Sequence, residues 1–383
     1  MQNIIELYRK TRKKTNDLCS PLNIEDYMPQ PIEFASPVKW NIAHVTWFFE
    51  ELILKKYLDN YKVFDESFNF FFNSYYQTIG ERTIRAQRGN ITRPSVEEIV
   101  EYRKHVDESI LNLLTSCDNK EIEPLMLVGI NHEQQHQELL LTDLKYLLSL
   151  NRTSPIYDNK LNMADVPNKD QGWVKIQEGI YQIGHNSNDF CYDNELGHHT
   201  TYLQNFEIAK ALITNQEYLE FINAGGYQNF TYWLDEGWSW VQKENIQAPL
   251  YWQKKDDRWY YYTLAGLKPL NPTSIVCHVS FYEANAFAVW KKMRLATEFE
   301  WEVASSKFEW GKRWEWTNSA YLPYPNFKIA PGALGEYNGK FMINQMVLRG
   351  NSMATSQGHS RYTYRNFFHP HMQWQYSGIR LVR

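Results

Sequence analysis

Over the first 150 positions, apolar residues recur every three to four places along stretches that are almost free of glycine, the spacing of helices that bury one face. The pattern predicts helices over 3–19, 37–57, 95–116 and 122–149, a number and length that suit an up-down four-helix bundle. In the second of these, Ser36 fits an N-cap and Pro37 the first helical position. Its Trp40, His44, Trp47 and Phe48 share one face, directed at the bundle core. The stretch 68–94 is too irregular and too rich in arginine for a bundle helix and reads as a long functional loop.

Beyond residue 150 the pattern changes. Short aromatic runs alternate with scattered Gly, Asn and Pro, as in a loop-rich α+β domain. Three capping boxes, Thr214-x-x-Glu217, Ser280-x-x-Glu283 and Thr297-x-x-Glu300, each predict the start of a short amphipathic helix. A tail from Met346 to Arg383 is rich in Arg, Tyr, Phe and His, and no internal repeat or low-complexity tract is present.

Composition sharpens the division: only 3 of 18 Gly and 2 of 14 Trp precede residue 151. The expected organisation is an all-α domain over 1–150, a linker over 151–172 and an α+β domain over 173–383. With 43% hydrophobic and 22% charged residues the 383-residue chain reads as globular. No apolar run reaches the ~18 residues of a membrane span, and the N-terminus lacks the apolar core of a signal peptide, so a cytoplasmic location is expected. Cys19, Cys117, Cys191 and Cys277 are dispersed, which encodes neither a disulfide framework nor a thiolate zinc site. A net charge of −4 without a basic half argues against a nucleic-acid partner. The aromatic content, 16%, is high and needs a reason.

The sharpest local signal is His132-Glu133-Gln134-Gln135-His136-Gln137-Glu138 on the fourth predicted helix. At about 100° per residue, His136 lies one turn above His132, so both imidazoles project from one face and can share a metal ion. Gln135 falls on that face, about 60° from His132. Glu138 is turned roughly 200° from His136 and 240° from His132, badly placed to complete a two-His-one-carboxylate triad. A third ligand must come from another helix, and His44, on its core-facing stripe, is the best candidate. Three neutral imidazoles suit iron(II), zinc or copper and leave open positions. The bland alternative is a pair of hydrogen-bonded helix histidines plus a satisfied core histidine; a polar Gln135 beside them in an apolar bundle favours the metal.

Two further stretches carry candidate chemistry. Tyr75 and Tyr76 precede Arg82, Arg85 and Arg88; guanidinium forks bind carboxylates bidentately, and a phenol can donate a proton. The same residues also fit a solvated basic loop with packed tyrosines. In the tail, Arg361 to Pro370 could wall a pocket, with clustered rings holding a quaternary ammonium by cation–π attraction, or could be core.

Taken in order, these pieces resemble the ergothioneine-biosynthesis sulfoxide synthases, which join a DinB-like four-helix bundle to a formylglycine-generating-enzyme-like domain of C-type-lectin-like fold. The resemblance covers nearly the whole chain. It rests on Trp40-Asn41-Ile42-Ala43-His44, His132-x-x-x-His136-x-Glu138, Tyr75-Tyr76, Arg85-Ala86-Gln87-Arg88-Gly89 and Thr92-Arg93-Pro94. The second half adds Val279-Ser280-Phe281-Tyr282-Glu283-Ala284, Leu295-Ala296-Thr297-Glu298-Phe299-Glu300-Trp301-Glu302, Val347-Leu348-Arg349-Gly350-Asn351-Ser352 and Ser377-Gly378-Ile379-Arg380.

The resemblance implies an Fe(II) enzyme that uses O2 to join a thiol sulfur to the imidazole C2 of hercynine (trimethylhistidine), oxidising that sulfur to a sulfoxide. It implies His44, His132 and His136 as iron ligands, Gln135 against the substrate imidazole and Arg85 and Arg88 on the thiol substrate's carboxylate. It further implies Asn366 near the trimethylammonium group and Tyr75 or Tyr76 as proton donor. Family members that use γ-glutamylcysteine carry Asn-Trp-Asp where this chain has Asn366-Phe367-Phe368. Burying the γ-glutamyl polar groups against Phe would cost a few kcal/mol, so free cysteine is the expected thiol donor. Alternatives are a selenoneine synthase, a synthase that acts on histidine to give 5-histidylcysteine sulfoxide, and, from another class, a non-catalytic lectin-like binding protein.

Overall fold

A computed structural model describes the chain apart from residues 1, 75, 77–79, 117–120, 162, 164–165, 167–170 and 331–337. Its described residues separate into two compact units: 2–151 with 355–359, and 152–330 with 338–354 and 360–383.

The first unit is helical. Helix α1 (Gln2–Cys19) buries Ile4, Tyr8, Thr11, Arg12, Thr15, Leu18 and Cys19, a stripe at three-to-four-residue spacing. Helix α2 (Val38–Phe49) is buried at every position, which makes it the central element of the bundle. It continues through a π-helical turn, Glu50–Leu54, into α3 (Lys55–Tyr57). The π turn coincides with Glu50, whose buried carboxylate accepts from Tyr61 and Tyr102 hydroxyls, both at 2.6 Å, and from the Phe64 amide at 3.2 Å. A short α4 (Phe68–Phe72) lies in the irregular stretch, followed by a 3-10 segment, Arg85–Asn90. Helices α5 (Val96–Ser116) and α6 (Ile122–Ser149) complete the bundle, with α6 packed on α1 and α2.

One correction concerns the start of α2. Pro37 itself occupies the cap position, with an extended ψ of 144°, and the helix begins at Val38. Ser36 is engaged elsewhere: its amide donates to Asp143 Oδ2 at 2.9 Å and its hydroxyl accepts from Arg88 at 3.0 Å. Gly129 of α6 sits against the Phe49 ring, where a Cβ would come within 2.5 Å of a ring carbon. This close approach of α6 to α2 precedes His132 by one turn.

The second unit is mixed α and β. Strands β1 (Trp173–Ile176) and β4 (Phe206–Ala209) pair antiparallel, flanking the hairpin of β2 (Gly179–Ile183) and β3 (His199–Leu203). After α7 (Asn215–Asn223) and α8 (Asp235–Glu244) come β5 (Trp252–Lys255), β6 (Arg258–Thr263) and β7 (Gly266–Pro269), a three-stranded sheet. Then follow α9 (Phe281–Trp290), β8 (Arg294–Leu295), α10 (Glu298–Ala304), β9 (Trp314–Ala320) and β10 (Met346–Gly350). The chain ends in β11 (Asn366–Phe368), β12 (Ser377–Gly378) and β13 (Leu381–Val382). Two four-stranded sheets have the orders β1-β4-β13-β8 and β11-β10-β9-β12, so the last residues are threaded into both.

All three expected capping boxes are formed. Thr214, Ser280 and Thr297 cap α7, α9 and α10, accepting from the amides of Glu217, Glu283 and Glu300. Trp301 sits in a core cluster with Val174, Ile176, Phe206, Ile208 and Val382 while its indole N–H donates to Glu315 at 2.6 Å. Rings with a polar edge thus fill a core that has little regular structure, a physical reason for the tryptophan excess of this half. Among the described residues no helix is long and apolar enough to cross a membrane.

Candidate metal centre

His44 on α2 and His132 and His136 on α6 meet inside the helical unit, and the ligand-type nitrogens of the three lie within 4.8 Å of one another. His44 Nε2 is 3.1 Å from His132 Nε2. All three side chains are buried. His44 Nδ1 is 2.6 Å from the carbonyl of Phe72, which can only accept, so Nδ1 carries the proton and Nε2 presents its lone pair. Asn41 does the same for His136: its amide nitrogen donates to the carbonyls of Ser36 and Pro37 at 3.2 and 3.3 Å. Its oxygen is thereby left to accept from His136 Nδ1 at 2.8 Å. Such partners fix tautomer and ring orientation in metal-binding histidines.

Burial keeps the set neutral. It depresses His44 well below the usual imidazole range, with repulsion from His132 adding to the effect. His136 is likewise pushed far down by burial, then by His132 and His44, and His132 is lowered to about 4, also by burial. Three neutral imidazoles with convergent nitrogens are a donor set for a borderline divalent ion. The residues fit a metal, and no carboxylate joins them among the described residues.

The imidazole of His44 lies near-parallel to two indoles, Trp40 (centroids 4.5 Å, 14°) and Trp47 (5.7 Å, 15°). The indole N–H groups are tied to Phe71 O and Asn69 Oδ1, both at 3.0 Å. The Arg88 guanidinium lies 3.3 Å from the Trp40 ring centroid and donates to the hydroxyls of Ser36 and Ser74. Tyr76 is buried against Trp47, centroids 5.5 Å apart. Arg88 and Tyr76 are thus each one aromatic ring removed from His44. Arg85, by contrast, is exposed and donates to Phe34 O, and Gln135 is half-buried on α6 beside the histidines. Tyr75 lies outside the described residues.

The other polar residues of the α6 heptapeptide face elsewhere. Glu133 is fully buried and accepts from Arg12 (3.0 Å), Arg103 (2.6 Å) and Thr15 (2.6 Å). Burial would raise this carboxyl, but Arg103 and Arg12 outweigh it and hold it at about 2. Glu138 accepts from Thr355, in keeping with its expected exclusion from the ligand set.

Comparison with known proteins gives two domain matches and several similar proteins. Residues 7–140 match the DinB superfamily and residues 159–313 match the sulfatase-modifying factor enzyme 1-like domain. The helical region thus matches the first of these models, and the mixed α and β region that follows matches the second. The chain is 27% identical over 353 residues to a protein named hercynine oxygenase from Mycolicibacterium smegmatis, covering 78% of this chain and 80% of that one. It is 26% identical over 350 residues, with the same coverage, to the hercynine oxygenase of Mycobacterium tuberculosis. The ergothioneine biosynthesis protein 1 of Schizosaccharomyces pombe is 22% identical over 76% of this chain and 44% of its own length.

The matched stretch 7–140 holds all three histidines. In the second unit, Asn366, Phe367 and Phe368 form β11, all half-buried. Phe367 stacks on Tyr321 (4.0 Å, 10°) and Phe341, and Phe368 meets Trp374 edge-on. Sequence reasoning missed the Phe72 carbonyl, Asn41, the two indoles near-parallel to His44, and the Glu133 network. Only Asn41 left a readable signal, as an amide among the apolar residues preceding His44.

Proposed function

We propose that the chain is a non-haem iron(II) sulfoxide synthase that joins the sulfur of cysteine to the imidazole C2 of hercynine, a step of ergothioneine biosynthesis. It is an oxidoreductase. The overall change balances as hercynine C–H plus cysteine S–H plus O2 giving the C–S bond, the sulfoxide oxygen and one water. The observation that carries this reading is the trio of buried, neutral imidazoles, His44, His132 and His136, with the tautomers of His44 and His136 fixed by their partners, in a chain similar over most of its length to hercynine oxygenases.

Iron bound there would bring O2 and the thiolate together, since coordination deprotonates a thiol. The protein supplies the rest. Gln135, beside the histidines on α6, orients the substrate imidazole; Arg85 and Arg88 provide cationic forks for the amino-acid carboxylate. Tyr76, buried against Trp47, holds the proton that steers the reaction to C–S coupling rather than to oxidation of the thiol alone. Asn366 takes the trimethylammonium end, and Phe367 and Phe368 leave no polar group for a γ-glutamyl extension, which favours free cysteine.

Anaerobic loading with iron(II), followed by hercynine, cysteine and air, tests the reading by mass spectrometry. The expected product is the coupled adduct carrying one added oxygen. Iron-loaded protein that consumes no oxygen and forms no adduct refutes it.

A further inference from the structure

The segment Thr355–His359 lies more than 200 residues beyond α6 in sequence yet belongs to the helical unit. It meets α6 through three polar pairs. Thr355 Oγ1 donates to Glu138 Oε2 at 2.6 Å, Ser356 Oγ donates to Gln137 Oε1, and His359 Nδ1 lies 3.3 Å from Gln134 Oε1. His359 is buried, and its amide closes a turn onto Ser356 O at 3.1 Å. Gly358, with φ +83°, supplies the left-handed residue in that turn. Gln137 passes the contact on, donating to Thr11 O and Thr15 Oγ1 of α1, both at 2.9 Å.

At about 100° per residue, positions 134, 137 and 138 lie roughly 140–240° round from His132 and 100–200° round from His136, on the side of α6 turned away from the two imidazoles. That placement gives the segment leverage over the rotation of α6 about its own axis. A histidine ring nitrogen stands on the order of 6 Å from the axis, so a rotation of about 2° moves it by about 0.2 Å. That is the tolerance within which a metal–ligand distance must fall. A turn of the helix too small to disturb packing is therefore enough to spoil the metal geometry.

From this arrangement we infer that Thr355, Ser356 and His359 form a clasp that sets the aim of His132 and His136. They are positioning residues for a divalent metal that none of them touches. The inference rests on the metal reading of the three histidines but not on the identity of the substrates. The test is metal binding by the full chain, with cobalt(II) as a spectroscopic probe in titrations against a chelator. In the Thr355→Val/Ser356→Ala double variant, affinity should fall about tenfold, the range seen when outer-shell partners are lost. The cobalt absorption spectrum should change, while melting of the metal-free protein stays close to wild type. Thr355→Ser, which keeps the hydroxyl, should restore affinity to that variant's Thr355 position. Should the double variant fail to fold, the Thr355→Val and Ser356→Ala single variants are measured in its place. Unchanged affinity and spectrum in folded variants, or lost stability with affinity intact, overturns the clasp. A wild-type chain that takes up no metal overturns the metal reading itself, an outcome visible before any variant is made.

Discussion

Glu133 offers the most direct test of what holds α6 in place. Its carboxylate accepts from two guanidinium groups and one hydroxyl within 3.0 Å, and both Glu133 and Arg103 are buried. Glu133→Gln keeps the shape and removes the charge. Arg12 retains Asp107, to which its Nε donates at 2.6 Å, whereas Arg103 keeps only neutral partners, Asn16, Thr46 and the Arg12 carbonyl. Breaking a buried ion pair by removing one partner costs about 3–5 kcal/mol, most of it the penalty of the charge left behind. For a unit of this size each kcal/mol lowers the melting temperature by about 2–4 °C, so a drop of roughly 10 °C is expected. Thermal melts should be followed by circular dichroism at neutral pH with a chelator present, so that metal linkage does not enter. The double variant Arg103→Met/Glu133→Met should recover part of the loss, because an apolar pair carries no desolvation cost. A Glu133→Gln change below ~1 kcal/mol would refute the view that this network locks the helix.

Four other outcomes follow. Asn41→Leu removes the anchor of His136 Nδ1 and should weaken metal affinity about 10–100-fold, measured by competition with a chelator; full affinity would mean that the tautomer is set otherwise. Tyr76→Phe should shift product from sulfoxide to cysteine sulfinate, quantified by mass spectrometry, and an unchanged product ratio removes Tyr76 from the proton-donor role. Steady-state turnover should favour cysteine over γ-glutamylcysteine, and a strong preference for the dipeptide would contradict the reading of Phe368. Burial pushes the Glu283 carboxyl up to about 7 against opposing hydrogen bonds from Ser280, Tyr227 and Gln373. Because the folded value exceeds the unfolded one, its contribution is full below about pH 4.5 and is lost as pH rises through 7, about 3 kcal/mol in all. Denaturant melts across that window should show the decline in wild type and a flatter profile in Glu283→Gln; parallel profiles would count against it.

The elements that sequence made legible are those whose cause is local. The bundle helices follow from apolar spacing, and the three short helices of the second half follow from a Ser or Thr and a Glu three residues apart, because each box closes on itself. The features that were illegible have distant causes. Ser36 does not cap α2 because Asp143 and Arg88 already engage it, and no local pattern encodes either contact. The π turn at Glu50–Leu54 interrupts a stretch that periodicity treats as one helix. It coincides with a carboxylate gripped from Tyr61 and Phe64 in the loop after α3 and from Tyr102 on α5.

The same distinction runs through the heptapeptide His132–Glu138. Helical geometry alone assigns two histidines and a glutamine to one face and excludes Glu138. It cannot say why the remaining residues are polar in a buried helix. The structure supplies a partner for each: Glu133 meets two arginines, Gln134 meets His359, Gln137 meets α1 and Ser356, and Glu138 meets Thr355. A buried polar side chain without a partner costs about 1–3 kcal/mol, so a helix this polar is stable only inside such a set of contacts. Gln135 is half-buried and lies about 60° round the helix from His132. Substitution at 133, 134, 137 or 138 should therefore register first in stability or metal affinity. Substitution at Gln135 should register first in substrate KM, because helical geometry puts this residue nearer the histidine face than the other polar residues of the set.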